Sequence, residues 1–462
     1  MVNLKQLARR IFHETLSAID IPAAMQRKLR RSGTLLHCDN TVVDLRSFSK
    51  ILVVAIGKAA HAMVEGLVLV LTPDVPLEGV VSALTAPGNA VRGMRYFVAG
   101  HPVPNMESWK AAEAILGLLN RCDERTLVFF LLSGGGSALA ELPLDPAQTL
   151  EDVQALHRAL VTCGAPIEAI NTVRKHLSAV KGGRLAAAAG GATKITLAVS
   201  DVPAGRESAL ASGPTLPDST TISEAEQVIS EFLLREKFTV ALRRWLEDGK
   251  MPETPKSLDA AFTNAHFSLL LGMDDLFHPA HHAAEAEGCI SACDNSTDDW
   301  PVEKAAEYLL WQLDDLRKVH PGRRVALIAD GEVSSPVTGN GIGGRNAAFV
   351  LACVERIAGK NVAVLSAGTD GIDGNSPAAG AVADGETLAR ARAVGLDLRD
   401  VFRRSDAHTF FARLEDAVLT GPTGNNLRDL RILIAEPDPP ELMPPRTQMG
   451  PDQARAPFSK MN

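Results

Sequence analysis

Three stretches of the 462-residue chain share one pattern: ILVVAIGKAAHAM from Ile51, TLVFFLLSGGGSALAEL from Thr126 and KITLAVSDVPAG from Lys194. Each is a short run of valine, isoleucine, leucine or phenylalanine, followed by a glycine-bearing turn and then small residues. Continuous apolar runs suit strands buried on both faces, and their alternation with helical segments builds a parallel sheet with crossover connections. Such sheets bind ligands outside the carboxyl ends of their strands. Chemistry is therefore expected in the turns.

A second block begins after Pro252 and Pro255, where SLDAAFTNAHFSLLLGMDDL resets the pattern, and CISAC, RVALIAD and NVAVLSAGT follow as further strands. The length exceeds what one core usually holds. The expected organisation is a Rossmann-like parallel-sheet domain over 1–255, a second α/β domain over 256–437, and an aperiodic, proline-rich tail over 438–462. A formal charge of -8 argues against nucleic acid, whose phosphates demand a basic footprint. No run of about 18 apolar residues is present, so no membrane span is expected. Six scattered cysteines form no disulfide framework, which points to a reducing cytoplasm. A homodimer is one assembly open to such a chain.

Ser133, Gly134, Gly135, Gly136 and Ser137 follow an apolar run and precede a helix-like segment. A plain turn would need one glycine; three between two serines let an anion approach backbone amides at a helix start. The P-loop pattern is absent. Lys58 directly follows the first strand and opens an alanine-rich helix, where a cation opposes the macrodipole unless an anion is near. Arg174, Lys175, His176, Lys181 and Arg184 crowd INTVRKHLSAVKGGRLA, with Asn171 placed to cap a helix and Gly182-Gly183 to end it. A solvated basic face explains such a run equally well.

Asp201 ends the third strand, where a carboxylate can hold Mg²⁺, orient a hydroxyl or cap the next helix. Gly339, Gly341 and Gly344 spell a formal G-x-G-x-x-G, but about ten residues separate them from the preceding strand, against the dinucleotide-binding context. Arg345 opens the helix after them, again a cation set against the dipole. Asp370 and Asp373 sit in a glycine-rich turn as metal candidates or as ordinary turn residues. The segment HPAHHAAEAEGCISAC fits no standard zinc spacing.

Taken in order, AIGKAA, GHPVPN, LLSGGGSALAELP, INTVRKHLSAVKGGRLA, SDVP with ASGPT, GGRN, SAGTDGIDG and TGPTGNNLRDLRIL resemble the type II glycerate kinases, or glycerate 2-kinases, with their C-terminal MOFRL-type domain. The resemblance covers about residues 5–436. It implies two α/β domains with the active site in the cleft between them, and phosphorylation of D-glycerate at its 2-hydroxyl by ATP with a divalent cation such as Mg²⁺. It makes Lys58 and Arg345 the catalytic cations, the two residues that the dipole argument also marks. On this reading Ser133 to Ser137 cradle nucleotide phosphates, Asn171, Arg174 and Lys181 meet the substrate, and Asp201 and Asp370 are metal candidates, with Asp201 also catalytic. The chain departs from the family pattern at Ala204, Ala347, Ala348, Pro377 and Asn425. The rival readings are an NAD(P)H-dependent hydroxypyruvate reductase and a non-catalytic relative that keeps the cleft.

Overall fold

The structure is a computed structural model and describes residues 3–71, 75–200, 202, 205–425 and 427–437. Asp201, Ala204 and the tail over 438–462 lie outside the described residues. A small antiparallel meander comes first, made of β1 (Leu29–Ser32), β2 (Leu35–Cys38) and β3 (Thr41–Asp44). The next six strands are β4 (Lys50–Ile56), β5 (Glu78–Ala83), β6 (Met94–Val98), β7 (Thr126–Ser133), β8 (Thr193–Val199) and β9 (Ala265–Leu271). They form one wholly parallel sheet in the order β6-β5-β4-β7-β8-β9.

Why these segments are strands follows from their two apolar faces. Val53, Ala55, Phe129 and Leu131 pack with Met63 and Leu67 of helix Ala60–Leu71, while Val54, Ile56, Phe130 and Leu132 pack with Ile115 and Leu119 of helix Met106–Leu119. Every β7 residue is buried, which a strand of alternating polarity would not tolerate. The strand order reverses between β4 and β7, the switch point at which a doubly wound sheet opens a crevice. Gly57-Lys58 and the triple glycine both stand at that crevice. The expected Rossmann-like sheet is therefore present.

The second sheet contains β10 (Ile290–Asp294), β11 (Val325–Asp330), β12 (Val362–Gly368), β13 (Gly380–Asp384), β14 (Ala417–Val418) and β15 (Asp429–Ala435). Its order is β10-β11-β15-β12-β13-β14; only β10 and β11 are parallel. Helices Val302–Val319 and Arg345–Ile357 cover one face. Helices Asp274–Ala286 and Leu4–Ala18 cover the other, with Leu7, Ile11 and Phe12 buried against Leu365, Ile432 and Ile434.

Two features depart from the expected division at residue 255. The strand β9 belongs to the first sheet, paired in parallel with β8, so that sheet continues past 255. The helix Leu4–Ala18 belongs to the second sheet, and Lys5 ties it there through Asp416 at 2.9 Å. Its apolar stripe carries no label for which sheet it will cover, which is why sequence order misplaced it. Among the described residues no helix is long and apolar enough to cross a membrane.

Candidate active site in the interdomain cleft

Gly57 has φ +136°, and a Cβ on it would lie 2.1 Å from Ser133 Oγ. Only glycine permits this approach. The two switch-point turns are joined by it: Lys58 N donates to Gly134 O at 3.0 Å, and Ala59 N donates to Ser133 Oγ at 3.0 Å. Ser133 is thereby buried and spent on structure, and the Ser137 hydroxyl lies 2.8 Å from Ser212 Oγ. The helix after the glycines is only Gly136–Leu139. So short a turn carries little of the macrodipole that the sequence argument assumed. Gly135, at φ +82°, faces Lys58 and His101; a Cβ there would sit 3.4 Å from each side chain.

The basic stretch resolves into separate roles. Asn171 does not cap a helix; it lies inside Ile167–Leu177, and its Oδ1 accepts from Ser212 Oγ at 3.0 Å and from Arg174 Nη1 at 3.4 Å. Pro166 precedes that helix, so the cap falls five residues earlier than expected. Lys181 is 1% exposed, its ammonium hydrogen-bonded to Glu141, which also takes Ser178 Oγ at 2.6 Å and His157 Nε2 at 3.0 Å. This buried knot removes Lys181 from the expected set of substrate contacts. Lys175 pairs with Asp218 at 3.1 Å. Arg174 differs: its buried Nε has no hydrogen-bond partner among the described residues, and burial lowers its pKa. Burial, then Lys58 and Arg174, lower the pKa of His101 and favour its neutral form.

On the opposite side, Arg345 begins the helix Arg345–Ile357. The anion at that helix start is Asp373, whose carboxylate accepts from Asn346 N and Ala347 N, each at 2.9 Å. Burial pushes the Asp373 carboxyl up to about 6, against these two backbone bonds. The Arg345 guanidinium pairs with Glu332 at 2.6 Å and with Asp429. Burial disfavours its charge, but the two carboxylates outweigh that and raise its pKa. Asp370 Oδ2 lies 3.7 Å from Lys58 Nζ, which links the two domains. Lys58, His61 and His101 thus line one wall of a cleft of about 980 Å³, and Arg345, Asp370 and Asp373 the other.

The formal G-x-G-x-x-G has a packing explanation. A Cβ on Gly339 or Gly341 would come within 2.6 Å of Arg404 O, and one on Gly344 within 2.3 Å of an Asp373 oxygen. Close approach of neighbouring loops accounts for these glycines. Asn425, one of the departures from the family pattern, donates to Ile19 O at 2.7 Å and fastens the end of the first helix. The sequence reading missed Glu332, Asp429 and Glu141, because an isolated carboxylate carries no local signal of the cation it will meet. His101 stood within GHPVPN without a role.

A family model described as a domain of unknown function, DUF4147, matches residues 7–247, and that of the MOFRL family matches residues 325–429. The D-glycerate 2-kinase of Thermotoga maritima is 34% identical over 433 residues, covering 93% of this chain and 98% of that protein. A protein of Agrobacterium vitis, provisionally named a hydroxypyruvate reductase, is 34% identical, covering 94% of this chain and 95% of its own length. The crystal structure of glycerate kinase from T. maritima superposes with a TM-score of 0.79 at 33% identity, over 94% of this chain and 99% of that one. With DUF4147 and MOFRL regions in the same order and full-length similarity to such kinases, the chain belongs to the glycerate 2-kinase family of phosphotransferases.

Proposed function

We propose that the protein transfers the γ-phosphoryl group of ATP to the 2-hydroxyl of D-glycerate, giving 2-phosphoglycerate. The observation that carries this reading is the meeting of Lys58 and Arg345, one from each domain, in a single cleft. Phosphoryl transfer asks a protein mainly for positioning and for positive charge around the transferred group. Lys58 would hold donor phosphates beside Gly135, and Arg345 would neutralise charge on the moving group once Glu332 or Asp429 yields it. The charge of Arg174, near enough to His101 to lower its pKa, would attract the glycerate carboxylate, and Asn171 orients Arg174. Neutral His101 can accept the hydroxyl proton.

Among the described residues no group of three or more histidine, cysteine or acidic side chains is arranged to hold a metal ion. Mg²⁺ commonly uses one or two carboxylates and takes its other ligands from water and substrate phosphates. Asp370 fits that requirement, as the family reading of Asp201 also would. Bound there, the ion would offset negative charge on the phosphates. The reductase name carried by one relative defines the second reading, but the packed glycines at 339–344 weaken its sequence support.

One coupled experiment tests the assignment. Incubation with D-glycerate, ATP and Mg²⁺ should yield ADP and a 2-phosphate resolved by phosphorus NMR. NADH oxidation with hydroxypyruvate and no ADP formation would replace the kinase reading by the reductase one.

A further inference from the structure

The cleft is much larger than a three-carbon hydroxy acid requires; cavities of about 300–1,000 Å³ accommodate ligands several times that size. Its lining combines Lys58, Arg345 and Asp370 with the apolar side chains of Val337, Ile372, Phe402 and Ala348. Val337 is 81% exposed and Ile372 is 49% exposed. Single exposed apolar residues need no explanation, but several gathered in one concavity mark a ligand surface.

The recess is also preformed. Thr338 N donates to Ser405 Oγ at 2.9 Å, Gly341 N to Arg404 O at 2.8 Å, and Ile342 N to Asp406 Oδ1 at 3.0 Å. Asn375 completes the wall, accepting from Gly343 N at 2.8 Å and donating to Gly341 O at 3.2 Å. Together with the absence of space for side chains at Gly339 and Gly341, these bonds fix the loop against its neighbours. A cleft that gathers exposed apolar side chains and two cations suits a nucleotide, in which a flat, weakly hydrated base is joined to charged phosphates.

We propose that the recess formed by Val337, Ile372 and Phe402 on the second domain is the slot for the purine base of the phosphoryl donor. The inference rests on the kinase reading and deepens it. The base stacks between these side chains, and the phosphate chain runs from the slot toward Lys58 and Arg345. The glycine-rich loop that resembles a dinucleotide fingerprint thus serves a nucleotide through the apolar side chain of Val337.

The test is calorimetric binding of ADP and of inorganic triphosphate to the full chain, with circular dichroism to establish folding. Because both side chains are exposed, Val337→Asn combined with Ile372→Asn should leave the fold intact. This variant should bind ADP at least about tenfold more weakly, the lower range for lost apolar complementarity in a pocket, while its triphosphate affinity stays within twofold of wild type. Lys58→Ala should weaken both ligands. ADP binding unchanged by the double substitution overturns the slot and leaves the kinase reading standing. A wild-type protein that binds neither ADP nor triphosphate overturns both.

Discussion

Asp370 reaches across the cleft to within 3.7 Å of the Lys58 ammonium, so a candidate metal carboxylate of one domain is paired with the candidate phosphate-binding cation of the other. Donor phosphates and their cation would separate this pair, each charge taking a stronger partner. We predict that Asp370→Asn raises the Mg²⁺ concentration needed for half-maximal turnover several-fold, whereas Lys58→Ala lowers turnover by about a thousandfold. Mg²⁺ titrations of initial rate check both; an unchanged Mg²⁺ requirement in Asp370→Asn would leave that residue as an ion-pair partner alone.

Asp429 holds the guanidinium of Arg345 from β15, while Glu332 holds it from the turn after β11. Losing Asp429 should let the guanidinium swing toward Glu332. Misplacement of a positioning group by about 1 Å can cost on the order of a hundredfold in rate. Asp429→Asn is therefore expected to depress kcat by about that factor with a much smaller change in the KM for ATP. Equal loss in the two parameters would count against a positioning role.

The buried knot of Glu141, Lys181, His157 and Ser178 makes a stability prediction. Burial opposes the charge on Glu141, but Lys181 and His157 outweigh it and bring its pKa to about 2. A depressed carboxyl stabilises the fold above its ordinary range, and that contribution is lost as pH falls toward 2. Lys181→Met should cost about 3–5 kcal/mol at neutral pH, the usual result of leaving a buried charge uncompensated. Urea unfolding at pH 7 measures this, and a change below about 1 kcal/mol would contradict it.

Asp330 gives the opposite sign. Neither carboxylate oxygen has a hydrogen-bond partner among the described residues, although Arg428 lies 3.7 Å away. Burial pushes its pKa up to about 6; Arg428 and Arg431 oppose the rise, while Asp298 and Asp274 add to it. Between about pH 4 and 6 the folded chain holds a proton that the unfolded chain has released, so stability falls as pH rises through that window. Asp330→Asn should therefore gain about 2 kcal/mol relative to wild type on moving from pH 4 to pH 8. Thermal melts across this range decide it; a constant difference between the two proteins would show that Asp330 does not titrate there.

The parallel sheet was legible because buried strands require unbroken apolar runs, and the switch-point turns were legible because glycine, serine and lysine there have few structural excuses. Lys58 and Arg345 stood out as cations in electrostatically awkward places, and the structure puts both in the cleft. The reasons attached to them were less complete. The anion at the Arg345 helix is the protein's own Asp373, and the serines of the triple-glycine turn are hydrogen-bonded within the fold. Lys181 looked like a ligand because its partner Glu141 lies forty positions away. Such pairings depend on how sheets fold back, which neither composition nor local periodicity records.

The helix Leu4–Ala18, sealed beneath the second sheet, imposes an order on biosynthesis. Domains usually fold as the chain emerges, the earlier-made part first. Here Leu7, Ile11 and Phe12 are made long before β12 and β15, the strands that cover them. The central strand β15 is itself the last strand of its sheet to be made. The MOFRL-type domain thus completes late, and until then a newly made chain carries a finished parallel-sheet domain beside an uncovered apolar helix, a natural point of engagement for a chaperone.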